Sequence, residues 1–351
     1  MSQRTLAGIV AVPLLIVLWV LALVLPVPVV TNRPGITVDV LAAADDGEEV
    51  IQVQGEKTYR DDGTLRLTTV YVTQPGARIN LFSAMAAWFS PSDAVLPYDS
   101  VYDPDETREE SESESAVQMV SSQDTAIAAA LTELGYDVTT DVEVLAVTPD
   151  EPADGRLAVE DQIVSIDGTR VSTPQDVVDA VGAAGPGDPV EFVVRRQGER
   201  RTVEITPRDV DGDPRVGIVP GVGYEFPFEV DINLAEGIGG PSAGLIFSLG
   251  ILDTLTEGSL TGGESIAGTG TITADGAVGP IGGIQQKIVA AEDAGSELFL
   301  VPPDNCADAL GADADDIRLV RADTLSDARD AIETWVDDPD ADLPSCEGAA
   351  S

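Results

Sequence analysis

The chain has 351 residues, 43% of them hydrophobic, and sets 62 Asp or Glu against 19 Lys or Arg for a formal charge of −43, which excludes nucleic acid and other polyanions as partners. It contains no histidine and two cysteines, so Ser-His-Asp and Cys-His catalysis, His-ligated metals, and zinc or iron-sulfur centres are excluded, and no metal or other cofactor is expected. Length predicts two or three domains, and the acidic excess reads as solvated surface.

Residues 6–30 form an uncharged apolar run of 25 residues, preceded by Arg4 and followed by Thr31-Asn32-Arg33-Pro34-Gly35. That is long enough for a bilayer span, and it lacks a small-x-small exit site. An uncleaved signal anchor is expected, with residues 1–5 cytoplasmic, 6–30 in lipid as a transmembrane helix, and the remainder extracytoplasmic. Residues 31–134 read as a β/α region: alternation over 65–72 predicts a strand, and the Glu- and Ser-rich stretch 103–115 predicts an acidic loop. Helical spacing over 116–134 predicts a helix stopped by Gly135.

Residues 135–209 carry short strands at 142–147, 162–166, 190–195 and 201–205, and a helix opened by Thr173 as N-cap with Pro174 in its first turn. With Pro152-Ala153-Asp154-Gly155-Arg156-Leu157, Asp161-Gln162-Ile163-Val164-Ser165-Ile166-Asp167-Gly168 and the helix over 175–181, this segment resembles a PDZ domain. The resemblance implies a β-rich module that docks an extended peptide by strand addition, with Gly135-Tyr136-Asp137-Val138 as the loop that receives a terminal carboxylate. Asp137 stands where that family has a second glycine, which opposes a free carboxylate. A small β-domain that packs on its neighbour and binds nothing is the other reading.

The stretch Gly237-Ile238-Gly239-Gly240-Pro241-Ser242-Ala243-Gly244 leads into 245–252, apolar on every side and predicted to be a buried helix. Pro241 suits its first turn, so Ser242 is placed at the helix N-terminus, where backbone N–H groups of the Gly239, Gly240 and Ser242 region are candidates to stabilise an oxyanion. A serine cap after a flexible turn is the alternative. Of the 19 basic residues only Lys57 and Lys287 are lysines. Ile284, Lys287, Ile288 and Ala291 share one otherwise apolar helical face; a buried amine loses its proton readily and serves as a base, as arginine cannot, with snorkelling to the surface as the alternative.

Gly240-Pro241-Ser242-Ala243-Gly244, Thr269-Gly270-Thr271-Ile272-Thr273, Gly276, Val278, Pro280-Ile281-Gly282-Gly283-Ile284 and Lys287 together resemble the proteolytic domain of Lon-type Ser-Lys peptidases. The resemblance implies an α+β chain with a ribosomal-S5-domain-2-like α/β peptidase unit over 210–337. In it Ser242 is the nucleophile, Lys287 the general base and then acid, and Thr269 orients the lysine. The stretch 118–131 resembles the helix that precedes the catalytic half in such domains, so residues before 134 are expected to complete the fold around an inserted PDZ-like module. No Gly-x-x-x-x-Gly-Lys-Ser/Thr loop occurs in the chain, so no ATPase is expected. An anchor followed by PDZ and Lon-like units without an ATPase is similar to the bacterial YlbL family of membrane-anchored proteases. The implied function is ATP-independent endoproteolysis of extracytoplasmic polypeptides, with a homo-oligomer as a further expectation and an inactive PDZ scaffold as the alternative. Cys306 and Cys346, on the oxidising side of such a membrane, are expected to pair, two free thiols being the alternative. Residues 338–351 read as an acidic tail.

Overall fold

The computed structural model describes residues 3–43, 47, 49–60, 62–185, 187–210, 212–235 and 237–347. Helix α1 (Gln3–Val24) contains Pro13 and is followed by a two-residue strand, Pro26–Val27, and by β1 (Val29–Asp39). The apolar run 6–30 is thus divided between elements: Pro26 and Pro28 do not continue the helix, and Val30 is fully buried in a sheet. No helix among the described residues is long and apolar enough to cross a membrane. This overturns the expected transmembrane helix; the architecture is mixed α/β. The placement of residues 1–5 in the cytoplasm falls partly outside the described residues.

Next come β2 (Ile51–Gln54), β3 (Thr64–Val72), helix α2 (Leu81–Phe89), β4 (Ala94–Pro97) and the long helix α3 (Arg108–Glu133). Most of the expected acidic loop 103–115 is the first two turns of α3. Its carboxylates stabilise the helix start: Thr107 and Glu110 form a reciprocal capping box, Arg108 pairs with Glu112 one turn on, and Gln118 bonds to Glu114.

The chain then builds a second sheet from β5 (Thr139–Val147), β6 (Gln162–Ile166), helix α4 (Pro174–Ala183), β7 (Val190–Arg196), β8 (Glu199–Ile205) and β9 (Ile218–Glu225). The strand order is β8-β7-β6-β5-β9, and Val142, Val144, Phe192, Val194 and Ile205 fill its core. Because β9 pairs along β5 from Ile218–Val147 to Glu225–Thr139, this unit extends past the expected boundary at 209.

The last third supplies β10 (Glu229–Ile232), helix α5 (Gly244–Leu255), β11 (Ser265–Gly268), β12 (Thr271–Ile272), β13 (Val278–Gly279), helix α6 (Ile284–Asp293), β14 (Leu298–Val301), β15 (Arg318–Arg321) and helix α7 (Leu325–Asp337). A six-stranded sheet in the order β15-β14-β11-β3-β1-β4 joins these to the N-terminal strands, parallel from β15 to β3 and antiparallel beyond. Strand alternation divides the core between its faces. Ile266, Leu298 and Leu300 pack with α3, α5 and α7, whereas Ala267, Phe299 and Val301 pack with α6. Cys306 and Cys346 form a disulfide on the α6 side. The tail is docked as far as that bridge: Arg318 donates to Pro339 O and Ala341 O, and Arg321 N–H donates to Pro344 O.

Candidate active site

The site lies beyond the carboxyl end of β11, where two faces of the catalytic sheet deliver side chains to one point. Helix α5 begins at Gly244 after Ala243 as N-cap, later than the sequence implies. The reason is where the preceding carbonyls go. Ser122 Oγ on α3 donates to Pro241 O at 3.0 Å, and Ser242 O accepts from Gly270 N–H and from Thr269 Oγ1, each at 2.9 Å. Neither carbonyl joins the helix ladder, whose first bond runs from Phe247 N–H to Ala243 O. Gly244 is required by close approach: a Cβ there would stand 2.8 Å from Ile272 Cγ2 and 3.2 Å from Ser122 Oγ.

From the opposite face, α6 contributes Lys287. Its neighbours Ile284, Ile288 and Ala291 are buried, and Lys287 itself is 2% exposed. The amine does not snorkel: Nζ lies 2.6 Å from Ser242 Oγ and 3.0 Å from Thr269 Oγ1. Burial, with no carboxylate to oppose it, pushes its pKa down to about 7. The other lysine, Lys57, is exposed beside Tyr59, with Nζ 4.2 Å from the ring centroid.

Ser242 is half-buried and opens on a cleft of about 400 Å³ lined by Pro241, Thr271, Pro280, Ile281 and Gly282. Pro241 and Thr271 also line an adjoining cavity of about 270 Å³, closed by Val117, Ser121 and Thr125 of α3 and by Leu145 of β5. Among the candidate oxyanion donors, Gly240 N–H is engaged, donating to Ser115 O at 3.0 Å, whereas Ser242 N–H has no partner among the described residues. Gly239 packs against Ser115, where a Cβ would meet the serine Cβ at 2.9 Å. Ser115 and Ser122 are not singled out by the sequence reading; their i, i+7 spacing on one helical face is the available signal.

Part of the loop 135–138, expected to receive a carboxylate, closes the end of α3. Gly135 N–H and Tyr136 N–H close the end of α3 on Thr132 O and Leu131 O, the Tyr136 ring meets Phe228 edge-on at 5.2 Å, and Val138 packs on the peptidase core. Asp137 is exposed.

A hydroxyl held against a buried amine whose pKa lies near neutrality, at the start of a buried helix, is the arrangement that Ser-Lys hydrolysis requires. Residues 228–320 match the Lon protease (S16) C-terminal proteolytic domain, and residues 107–206 match a PDZ domain. The chain is 34% identical over 107 residues to a Lon protease of Campylobacter concisus, covering 28% of this chain and 13% of that protein. It is 32% identical over 107 residues to Lon protease 2 of Bacillus subtilis, covering 30% and 19%. The chain therefore spans less than a fifth of the curated relatives it matches. The PDZ domain of an SdrC-like protein from Listeria innocua is 30% identical over 23% of this chain and 92% of that domain, with a TM-score of 0.22. The proteolytic-domain match and the Lon relatives support a serine-type peptidase.

Proposed function

We propose that the protein is an ATP-independent Lon-like serine endopeptidase acting on polypeptides outside the cytoplasm. The observation that carries the reading is the contact of Lys287 Nζ with Ser242 Oγ at 2.6 Å inside a site that depresses the lysine pKa to about 7. Unprotonated Lys287 takes the Ser242 proton as Oγ attacks the scissile carbonyl. Ser242 N–H and the N-terminal end of α5 stabilise the oxyanion. The resulting ammonium gives its proton to the leaving amine, and the same nitrogen then activates the water that releases the acyl group from Ser242.

A scaffold with a relic site is disfavoured on physical grounds. A buried lysine whose hydrogen bonds go to two hydroxyls lowers stability and is a poor structural residue. The Cys306–Cys346 disulfide supports an oxidising, extracytoplasmic compartment. Self-association is supported by the apolar side chains α2 leaves in solvent, with Trp88 72% and Phe89 77% exposed beside Phe82 and Met85.

The test is covalent trapping. A serine-reactive fluorophosphonate should modify the purified protein at Ser242, located by peptide mass spectrometry, and leave Ser242→Ala unmodified. Equal labelling of both proteins, or labelling elsewhere only, removes Ser242 as nucleophile.

A further inference from the structure

A PDZ-type module offers extended polypeptides the open edge of one strand beside a helix, and binding consists of adding an antiparallel strand there. In this protein that edge belongs to β5, with α4 as the flanking helix. It is already filled. The chain's own β9 runs antiparallel along the whole of β5, from Ile218 opposite Val147 to Glu225 opposite Thr139, and α4 packs alongside it. We infer that Ile218–Glu225 is an intramolecular ligand of the module, and that an extended substrate segment docks on β5 by displacing it.

Three observations support a strand that is seated but exchangeable. Its anchoring is mainly backbone. The positions facing Leu145 and the Asp141–Glu143 pair are Gly221 and Gly223, where an added Cβ would stand 2.2 Å from Leu145 Cδ1 or 2.5 Å from each carboxylate. Two of its apolar side chains, Val219 and Val222, are exposed. Its ladder is interrupted by a register shift between Val219 and Pro220, and Pro220 has no N–H to give.

The occupied edge also communicates with the cleft. Leu145, which lies over Gly221, lines the cavity that shares Pro241 and Thr271 with the Ser242 cleft. On the other side, β9 passes through Phe226 and Phe228 into β10 and so to the Ser242 loop. Displacing β9 therefore uncovers Leu145 in the wall of the adjoining cavity and frees the segment that leads to Ser242.

The inference rests on the reading of the module as a docking unit for polypeptides. It is tested by binding to a Ser242→Ala protein, so its failure leaves the peptidase reading standing. The probe is a fluorescent synthetic peptide with the sequence of residues 218–225, added in trans and followed by anisotropy. Gly221→Val in that background, which drives a Cβ into Leu145, should bind the peptide at least tenfold more tightly than the protein with its strand intact. A folded Gly221→Val protein that binds no better than its parent overturns the inference. Hydrogen exchange on the unsubstituted protein gives an answer even if that variant does not fold. Amides of 218–225 should exchange at least a hundredfold faster than those of 190–196, and equal protection of the two strands assigns β9 a permanent structural role.

Discussion

Thr269 Oγ1 stands 3.0 Å from Lys287 Nζ while its own proton is committed to Ser242 O at 2.9 Å. Thr269 therefore only accepts from the amine. In the unprotonated state, one N–H of Lys287 points at Thr269, and the lone pair is free to face Ser242 Oγ 2.6 Å away. The same hydroxyl thus fixes the Ser242 backbone and the rotation of the Lys287 amine.

The first consequence concerns the base. Lys287→Arg keeps a positive charge but cannot take a proton, so peptide cleavage should fall by about 10²- to 10⁴-fold, the usual contribution of a general base, and approach the level of Ser242→Ala. Because the amine works unprotonated and its pKa is lowered to about 7, cleavage by the unsubstituted protein should rise with pH and reach half its plateau near pH 7. A flat profile from pH 6 to pH 9, or near-normal cleavage by Lys287→Arg, excludes the lysine as base.

Thr269 is tested by contrast between two substitutions. Thr269→Val removes the hydroxyl, and losing a hydrogen bond to a group that becomes charged costs about 1.5–3 kcal/mol, or about 10- to 100-fold in kcat. Thr269→Ser keeps the hydroxyl and should restore most of the rate. Equal losses in both variants would attribute the effect to packing of the threonine methyl.

Much of this site was legible in the chain. Lys287 stood out as one of two lysines on the apolar stripe of a helix, and Ser242 through the glycines that flank it. The apolar run 6–30 misled because composition alone does not separate a helix from a helix followed by a strand; Pro26 and Pro28 were the signals to weigh. The acidic stretch 103–115 misled because net charge hid a capping box, which needs only Thr107 and Glu110 in register. The pairing of β9 with β5 was out of reach, since Ile218 and Val147 are distant in sequence and no local pattern marks a strand as a ligand of its neighbour.

The disulfide should matter for stability more than for chemistry. Cys306 and Cys346 are 40 residues apart, and closing a loop of that length restricts the unfolded chain by about 3–4 kcal/mol. Cys306→Ala/Cys346→Ala should therefore melt at a lower temperature. The bonds from Arg318 and Arg321 to residues 339–344 retain part of the tail's docking and keep peptide cleavage measurable. Mass spectrometry of alkylated, non-reduced protein should find no free thiol; two alkylated cysteines would remove both the bridge and the support it gives to an oxidising compartment.

In the pH dependence of stability, two half-buried carboxyls oppose one buried amine. At the seam between α3 and the second sheet, burial and neighbouring carboxylates raise the pKa of Asp124 from 3.8 to about 6 and of Glu143 from 4.5 to about 7. The groups facing them are Asp141 and Glu160, with Glu225 and Arg195 beside Asp141, and Arg195 is the cation that opposes the rise there. Between about pH 4 and pH 7 the folded protein holds protons that the unfolded chain has released, so these two groups make stability fall as pH rises. Lys287 acts oppositely. Its pKa is about 7 folded and 10.5 unfolded, so between those values the unfolded chain holds the extra proton and stability rises with pH. Melting temperature should accordingly pass through a minimum near pH 7. Asp124→Asn/Glu143→Gln should flatten the acid limb and raise the melting temperature at pH 7–8. Lys287→Met should flatten the alkaline limb and raise the melting temperature at pH 7, where it abolishes cleavage. A minimum that survives both sets of substitutions would assign the pH dependence to other groups.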